Sequence, residues 1–192
     1  MATMILLPNA TGTTHSSWVA VGEATHHECL DDDNAATSYT KCSVDTRTMI
    51  IEYANPSVAE ADIASIDSVR FLSSGKANHR SSPSLVSIAF EAPTAGFSEP
   101  ASYDAHRTNF ETINGTARTT SDGSSAWTYS DLENLEMKCT KFITVEVYLS
   151  YLALEVTYVE AGYGNDVLGV DSGDITSISG IAVGNISKVN GA

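Results

Sequence analysis

Short β-prone segments separated by polar loops are the feature that most constrains the fold of this chain. Six segments rich in β-branched and aromatic residues occupy residues 37–44, 46–54, 63–74, 84–92, 106–115 and 142–160. Both alternating faces of 84–92 are at least partly apolar, which is typical of a strand in a sandwich core. Helical segments do not alternate with these strands, as a parallel sheet would require. The sequence therefore predicts an all-β fold, an antiparallel β-sandwich or jelly roll.

Helix signals are few. Residues 55–65 can form a short helix that Asn55 or Ser57 would cap. Residues 127–137 carry Ser130 followed three residues later by Glu133, which is the spacing of a capping box. We therefore expect a short helix at the first place, one or two helical turns at the second, and a break or bulge at Ser150 between two strands of the long apolar run.

A change in composition after Glu160 predicts the domain boundary. The fourteen residues 161–174 contain four glycines and no pattern of buried positions, which is typical of a linker. We predict a β-sandwich, jelly-roll-like domain at 1–160. An extended tail at 161–192 would comprise this linker and a two-unit apolar repeat.

The repeat reads Ile-Thr-Ser-Ile-Ser-Gly-Ile from residue 175 and Ile-Ser-Lys-Val-Asn-Gly-Ala from residue 186. A strand–turn–strand of this length is not stable alone in water, so its apolar side chains need a surface to cover. That surface is either an edge of its own sandwich or another subunit, and disorder is the third alternative. We expect docking on another subunit through Ile175, Ile178, Gly180, Ile181, Ile186, Val189 and Gly191.

The charge of the chain limits its partners. With 24 acidic and 10 basic residues the net charge is −14, which disfavours nucleic acid as a partner. No run of apolar residues is long enough to cross a membrane, and residues 1–8 do not form a signal peptide. We therefore predict neither a nucleic-acid nor a membrane partner.

The three cysteines, Cys29, Cys42 and Cys139, form no CxxC pair and no zinc-type spacing. Their odd number and the lack of a secretion signal predict free, partly buried thiols. A bridge between Cys29 and Cys42 is the alternative.

Residues 26–34 form the densest cluster of potential metal ligands. Neighbouring side chains alternate across an extended chain, which argues against zinc at His26, His27 and Cys29. Asp31, Asp32 and Asp33 offer hard oxygens for calcium, although the segment lacks the EF-hand pattern and can equally be a solvated acidic loop. Calcium is therefore the one cofactor that we consider.

Catalytic patterns are missing from the sequence. It contains no G-x-S-x-G motif, no phosphate-binding loop and no dinucleotide fingerprint. We predict that the protein is not an enzyme and that it has no catalytic residues.

Aromatic residues raise a second functional class, a lectin-like module that binds carbohydrate. Trp18, Tyr39 and Trp127 are the main candidate sugar-stacking residues, and Tyr103 and Tyr129 are further candidates. The alternative for both tryptophans is packing in the core, because each buries a large apolar area there. Exposed rings beside the acidic loop would favour sugar binding.

The C-terminal segment ITSISGIAVGNISKVNGA resembles the I-x-x-[IV]-[NS]-G-[IV]-A repeats that close many structural proteins of tailed phages. Further landmarks of that resemblance, spread over residues 18–192, are Trp18, Asp31–Asp33 with Ser38 and Tyr39, Ile66–Val69, Trp127-Thr128 with Leu132, and Leu154–Tyr158. The terminal units are degenerate, and only two are present.

The resemblance implies a non-enzymatic virion component, assembled in the host cytoplasm, whose partners are other capsid or tail subunits. We expect a head decoration or cement protein that forms a homo-oligomer in the assembly. The alternatives are a tail or fibre component and a carbohydrate-binding adhesin module.

Overall fold

The computed structural model describes residues 1–32, 37–44, 46–78, 84–92, 95–96, 99–103, 109–133, 135–141, 146–161, 177–178 and 181–182. In chain order the strands are β1 Ala2–Leu6, β2 Pro8–Thr14, β3 Trp18–Val21, β4 Tyr39–Cys42, β5 Arg47–Tyr53, β6 Ile63–Asn78, β7 Ser84–Ala92, β8 Ala95–Gly96, β9 Glu99–Tyr103, β10 Glu111–Asn114, β11 Glu136–Lys141, β12 Glu146–Glu160, β13 Ser177–Ile178 and β14 Ile181–Ala182. A 3-10 turn covers Glu60–Asp62, and the helix α1 covers Tyr129–Glu133.

The strands build two antiparallel sheets, which confirms the predicted β-sandwich. The first sheet has the order β10-β6-β12-β4-β3, and β1 pairs with β12 beside β4. The second has the order β2-β5-β11-β7-β8, and β9 also pairs with β7. The short strands β13 and β14 pair with each other in a separate ladder.

The core lies between the two sheets and follows the alternation of side chains along each strand. On β12 the inward residues Val147, Leu149, Leu152, Leu154 and Val156 are almost completely buried. Burying each such side chain stabilises the fold by about 1.5–3 kcal/mol. Their partners across the sandwich are residues of the central strands of the second sheet, including Met49, Ile51, Met137 and Cys139.

The predicted break or bulge at Ser150 is a bulge. The pairing of β12 with β6 shifts between Leu149 and Tyr151, and β12 continues through it as one strand. Ser150 is the extra residue, and the shift returns Leu152 and Leu154 to the core face.

The helix predicted within 127–137 has the expected length, because its five residues make between one and two turns. It ends at Glu133, and the strand β11, which the sequence analysis missed, begins at Glu136 between β5 and β7. The cap is different, because Thr128 takes the position assigned to Ser130. The Thr128 N–H donates to the Asp131 carboxylate at 2.8 Å, and the Asp131 N–H donates to Thr128 Oγ1 at 3.2 Å.

Other element boundaries also differ. Residues 55–65 hold the 3-10 turn and then the start of β6, because Ile63 and the residues after it pair with β12. Within 106–115 the structure describes 109–115, and these residues contain the four-residue strand β10. The N-terminal strands β1, β2 and β3 were not predicted; β1 joins the first sheet and β2 the second.

All three cysteines are free and buried, so the alternative of a Cys29–Cys42 bridge is wrong. Cys29 Sγ lies 3.6 Å from the Val21 carbonyl oxygen, and Cys42 Sγ lies 3.3 Å from the Val44 carbonyl oxygen. These two thiols donate to backbone carbonyl oxygens and are not bonded to another sulfur. In the described part of the chain, no helix has the length and hydropathy needed to cross a membrane.

Candidate functional site

Both tryptophans proposed as sugar platforms lie in the core. Trp18 is 2% exposed and Trp127 is 5% exposed. The Trp18 indole N–H donates to the Arg47 carbonyl oxygen at 3.2 Å, and that of Trp127 donates to the Arg118 carbonyl oxygen at 2.8 Å. Their assignment to carbohydrate stacking is therefore wrong, because neither ring face is open to a ligand and each polar edge is already bonded.

Tyr39, the third predicted platform, lies on the outer face of the first sheet. Its neighbours on β4, Thr40 and Cys42, are buried, so alternation turns Tyr39 and Lys41 away from the core. In the sheet register Lys41 pairs with Tyr148 on β12, and Tyr148 pairs with Lys76 on β6. The sheet thus brings residues from three strands to one outward-facing place.

We call this group the outer aromatic patch. It consists of Tyr39, Lys41, Lys76, Phe110, Glu146 and Tyr148. The Tyr39 ring centre lies 5.5 Å from that of Tyr148, with the ring planes at 61°. It lies 6.3 Å from the Phe110 ring centre, with the planes at 49°. The three rings are half-buried, and their inclined faces form an angled rather than a flat surface.

Lys76 places a positive charge between two of these rings. Its Nζ lies 4.6 Å from the centre of the Phe110 ring and 5.1 Å from that of Tyr148. Both distances are within the range of cation–π attraction. The ammonium group therefore helps to hold the two rings in position.

The polar rim of the patch comes from β4 and β12. Lys41 Nζ lies 3.6 Å from a Glu146 carboxylate oxygen, and the two side chains are 37% and 29% exposed. The Tyr148 hydroxyl donates to the other oxygen of Glu146. Because this pair is open to water, it contributes little to stability, and it presents hydrogen-bonding groups beside the rings.

Sequence reasoning found Tyr39 and missed Lys76, Phe110 and Tyr148. Tyr148 alternates with the buried Val147 and Leu149, which is the signal that it points outward. The convergence of three strands on one place could not be read from spacing. It depends on the pairing of β12 with both β4 and β6.

The predicted calcium loop is described only in part. Asp31 is half-buried, Asp32 is exposed, and Asp33 lies outside the described residues. Within the described ranges, no three His, Cys, Asp or Glu residues are arranged to hold a metal ion. Calcium binding by Asp31–Asp33 stays a prediction.

The adjacent ligand-rich residues form a local turn. The Thr25 hydroxyl donates to the Glu28 carboxylate at 2.7 Å, and this bond is the main cause that lowers the pKa of Glu28. His27 Nδ1 lies 3.0 Å from Thr25 Oγ1 and 3.2 Å from Thr11 Oγ1. These contacts connect the turn to β2.

A polar cleft of about 470 Å³ opens at the edge of the second sheet. Glu52 and Glu136, which are register partners on β5 and β11, line it with Glu133 and the amides of Asn9 and Asn55. Its lining is rich in carboxylates, so it is a less suitable surface for stacking a sugar ring than the outer aromatic patch.

Of the predicted docking residues, the structure describes Ile178 on β13 and Ile181 on β14, which are paired with each other. The other five, Ile175, Gly180, Ile186, Val189 and Gly191, lie outside the described residues.

No family model and no curated protein matches the chain. Several solved structures are similar to it. The family 29 carbohydrate-binding module CBM29_1 from Piromyces equi has a TM-score of 0.40 at 9% identity, covering 81% of this chain and 91% of the module. The xylan-binding domain CBM22-1 of Xyn10C from Paenibacillus barcinonensis has a TM-score of 0.40 at 9% identity, with coverages of 80% and 97%.

A third similar structure is the enzymatically active domain of tailspike protein 4 from bacteriophage CBA120. Its TM-score is 0.38 at 11% identity, and the match covers 81% of this chain and 19% of that one. All three TM-scores lie below 0.5, and the proposals below rest on the residues of this chain.

Proposed function

We propose that the sandwich is a non-enzymatic carbohydrate-binding module of a virion-type structural protein, with the outer aromatic patch as its sugar site. The observation that carries this proposal is the convergence of Tyr39, Phe110 and Tyr148 on one solvent-facing side of the first sheet. Aromatic rings on that side do not fill the core, and they give a ligand an apolar surface with polar groups at its rim.

The chemistry of the patch suits a sugar. One face of a pyranose ring presents C–H groups, which stack on an aromatic ring, while its hydroxyls need donors and acceptors at the edge. Lys41, Glu146 and the Tyr148 hydroxyl supply both kinds of group beside the rings. Since the rings are inclined by 49° and 61°, we expect each ring to contact a different part of the ligand.

The charge balance favours an uncharged glycan. The patch holds two lysines and one glutamate, while the whole chain has a net charge of −14. A strongly anionic polysaccharide would be repelled by the rest of the surface, and a strongly cationic one would meet two lysines. A neutral, hydroxyl-rich ligand avoids both costs.

The first prediction tests the rings. Tyr148→Ala removes a stacking surface and a partner of Lys76, so glycan affinity should fall at least about tenfold, which corresponds to about 1.4 kcal/mol. A glycan array would identify the ligand, and isothermal titration calorimetry would measure its affinity for each variant. Tyr39→Ala should give a loss of similar size.

Tyr148→Phe is the matched control, because it keeps the ring and removes only the hydroxyl. It should lose less affinity than Tyr148→Ala, because the stacking surface stays while one rim hydroxyl is lost, and thermal melts should show every variant folded. If Tyr148→Ala and Tyr39→Ala bind the glycan as well as the intact protein, the sugar site is elsewhere. If the intact protein binds no glycan on the array, the proposal is wrong.

A second candidate function, a capsid decoration protein or a tail or fibre subunit, is favoured by one observation. Within the described residues, β13 and β14 pair with each other and with neither sheet of the sandwich. Such a short hairpin needs another surface to be stable. We propose that the tail docks on neighbouring subunits of a virion assembly, and it should then be dispensable for folding and required for assembly.

A further inference from the structure

We infer that the free edge of β1 is the surface on which the C-terminal repeat of a second copy of this chain docks. This inference rests on the proposal that the tail joins neighbouring subunits, and it adds the acceptor site. The glycan site plays no part in it.

The strand β1 has one described neighbour. It pairs with Leu154–Tyr158 of β12 on one side, and no other described strand pairs with it. An edge strand presents a row of backbone N–H and C=O groups that can template another strand. Natural edge strands are usually protected from such pairing by lysine, proline or a bulge. The five residues of β1, Ala-Thr-Met-Ile-Leu, include neither lysine nor proline.

The core face of β1 is apolar, and Ile5 is the apolar residue of its outer face, which also carries Thr3. Met4 and Leu6 point into the core, while Ile5 is 43% exposed on the outer face and Leu7, just beyond the strand, is 40% exposed. A strand added beside β1 can therefore bury Ile5 if it brings an apolar side chain to the outer face.

The repeat meets this requirement. In the ladder of β13 and β14, Ile178 and Ile181 are register partners, and partners in an antiparallel pair lie on the same face. That face would lie beside Ile5. The hairpin of β13 and β14 has outer edges of its own, so it can add to β1 without losing its internal pairing.

Charge also favours the docking of the repeat on another copy. Residues 175–192 contain Lys188 and no acidic residue, whereas the whole chain carries −14. The approach of this segment to an acidic neighbour is therefore not opposed by repulsion. In the single chain β13 and β14 form a ladder of their own, so the described part of the repeat does not use its own β1.

The geometry of the connection allows exchange between copies. The tail leaves the sandwich after Glu160, and the Ala161 N–H donates to the Asp62 carbonyl oxygen at 2.9 Å. This point is close to the start of β1, since Tyr158 pairs with Ala2. A linker of fourteen residues, 161–174, can extend to roughly 48 Å, enough to reach an adjacent subunit.

The test uses the full chain and measures its mass by size-exclusion chromatography with light scattering. The intact protein should form an oligomer, and Ile5→Lys should shift its dissociation constant at least about tenfold, because a charge then lies in the apolar contact. The new lysine would face Glu155, its register partner, so the sandwich itself should stay folded.

Val19→Glu is the control, because it places a charge on another edge strand. Val19 is 46% exposed on β3, the edge strand beside β4 in the same sheet, and the new glutamate would face Lys41, its register partner. This variant should assemble like the intact protein. If Val19→Glu dissociates the oligomer and Ile5→Lys does not, β1 is not the acceptor. If circular dichroism shows that Ile5→Lys is unfolded, Ile5→Thr replaces it in the test. Threonine keeps the strand propensity and removes apolar contact.

Two further results distinguish the β1 acceptor site from the proposed docking of the tail. A full-length protein that remains a monomer overturns docking between copies. An oligomer that Ile178→Asp dissociates and Ile5→Lys leaves intact overturns the β1 acceptor while retaining a docking tail. Glycan affinity should be the same in Ile5→Lys, because Glu155 lies seven residues along β12 from Tyr148, roughly 23 Å away.

Discussion

At the scale of single residues, burial changes the ionisation of two groups in the core. The Cys139 thiol on β11 is fully buried, which raises its pKa from 9.0 to about 12. Burial also raises the pKa of Tyr53 well above 10.0. The Tyr53 hydroxyl donates to the Leu152 carbonyl oxygen at 3.3 Å across the sandwich. Both groups are neutral in the folded protein, which is the form that a core tolerates.

The pKa of Cys139 predicts a loss of stability in alkali. Above a pH of about 9 the unfolded chain loses the thiol proton while the folded protein keeps it, so the free energy of unfolding falls as the pH rises towards 12. The slope for one proton is at most about 1.4 kcal/mol per pH unit. Urea unfolding at about pH 8 and about pH 10 measures it.

Cys139→Ala is the control for this slope. Its stability should be lower at every pH, because the substitution leaves a small cavity, but it should fall less between the two pH values. Equal slopes in both proteins would show that Cys139 is not the titrating group. Tyr53 adds a loss of the same sign at higher pH, since its pKa is also raised.

At the scale of elements, the ends of helices and strands depend on contacts that lie far apart in the sequence. The helix α1 has only five residues, too few to be stable alone. It is held by its cap at Thr128 and by the burial of Leu132 and Leu135. The following strand β11 exists because β5 and β7 pair with it on both sides.

Removal of the cap should therefore lower stability measurably. In Thr128→Ala the N–H of Asp131 loses its acceptor, and the free energy of unfolding should decrease by about 1 kcal/mol. Thr128→Ser keeps the hydroxyl and should lose much less. Urea unfolding of the three proteins measures the difference, and an equal loss in both variants would mean that the cap hydrogen bonds do not contribute.

At the scale of the whole molecule, the sandwich and the tail have different roles in our proposals. The last strand of the sandwich ends at Glu160, in register with the beginning of β6. The described core residues lie at or before Tyr158. The tail supplies the apolar side chains for which docking is proposed.

Deletion of residues 162–192 should leave a soluble, folded sandwich that no longer joins its assembly. Circular dichroism and a thermal melt measure the fold, and light scattering of the truncated and intact proteins measures assembly. Glycan binding should be unchanged, since the outer aromatic patch remains intact. An insoluble or unfolded truncated protein would show that the tail belongs to its own core, and the docking proposal would be wrong.

The sequence by itself determined the β-sandwich class, located an irregularity at Ser150 and singled out Tyr39 as a candidate surface ring. Each of these depends on local alternation or on a polar residue interrupting an apolar run, which are properties of neighbouring residues. The same local patterns left the environment of Trp18 and Trp127 open, because a large aromatic side chain fits both a core and a binding surface.

Only the tertiary structure decided which rings are buried and which strands meet. Tyr148 and Lys76 are brought beside Tyr39 by the pairing of β12 with β4 and β6, whose residues are far apart in the chain. The edge of β1 is likewise a product of sheet order. Strand pairing depends on how the whole core packs, so it cannot be read from a short stretch of sequence.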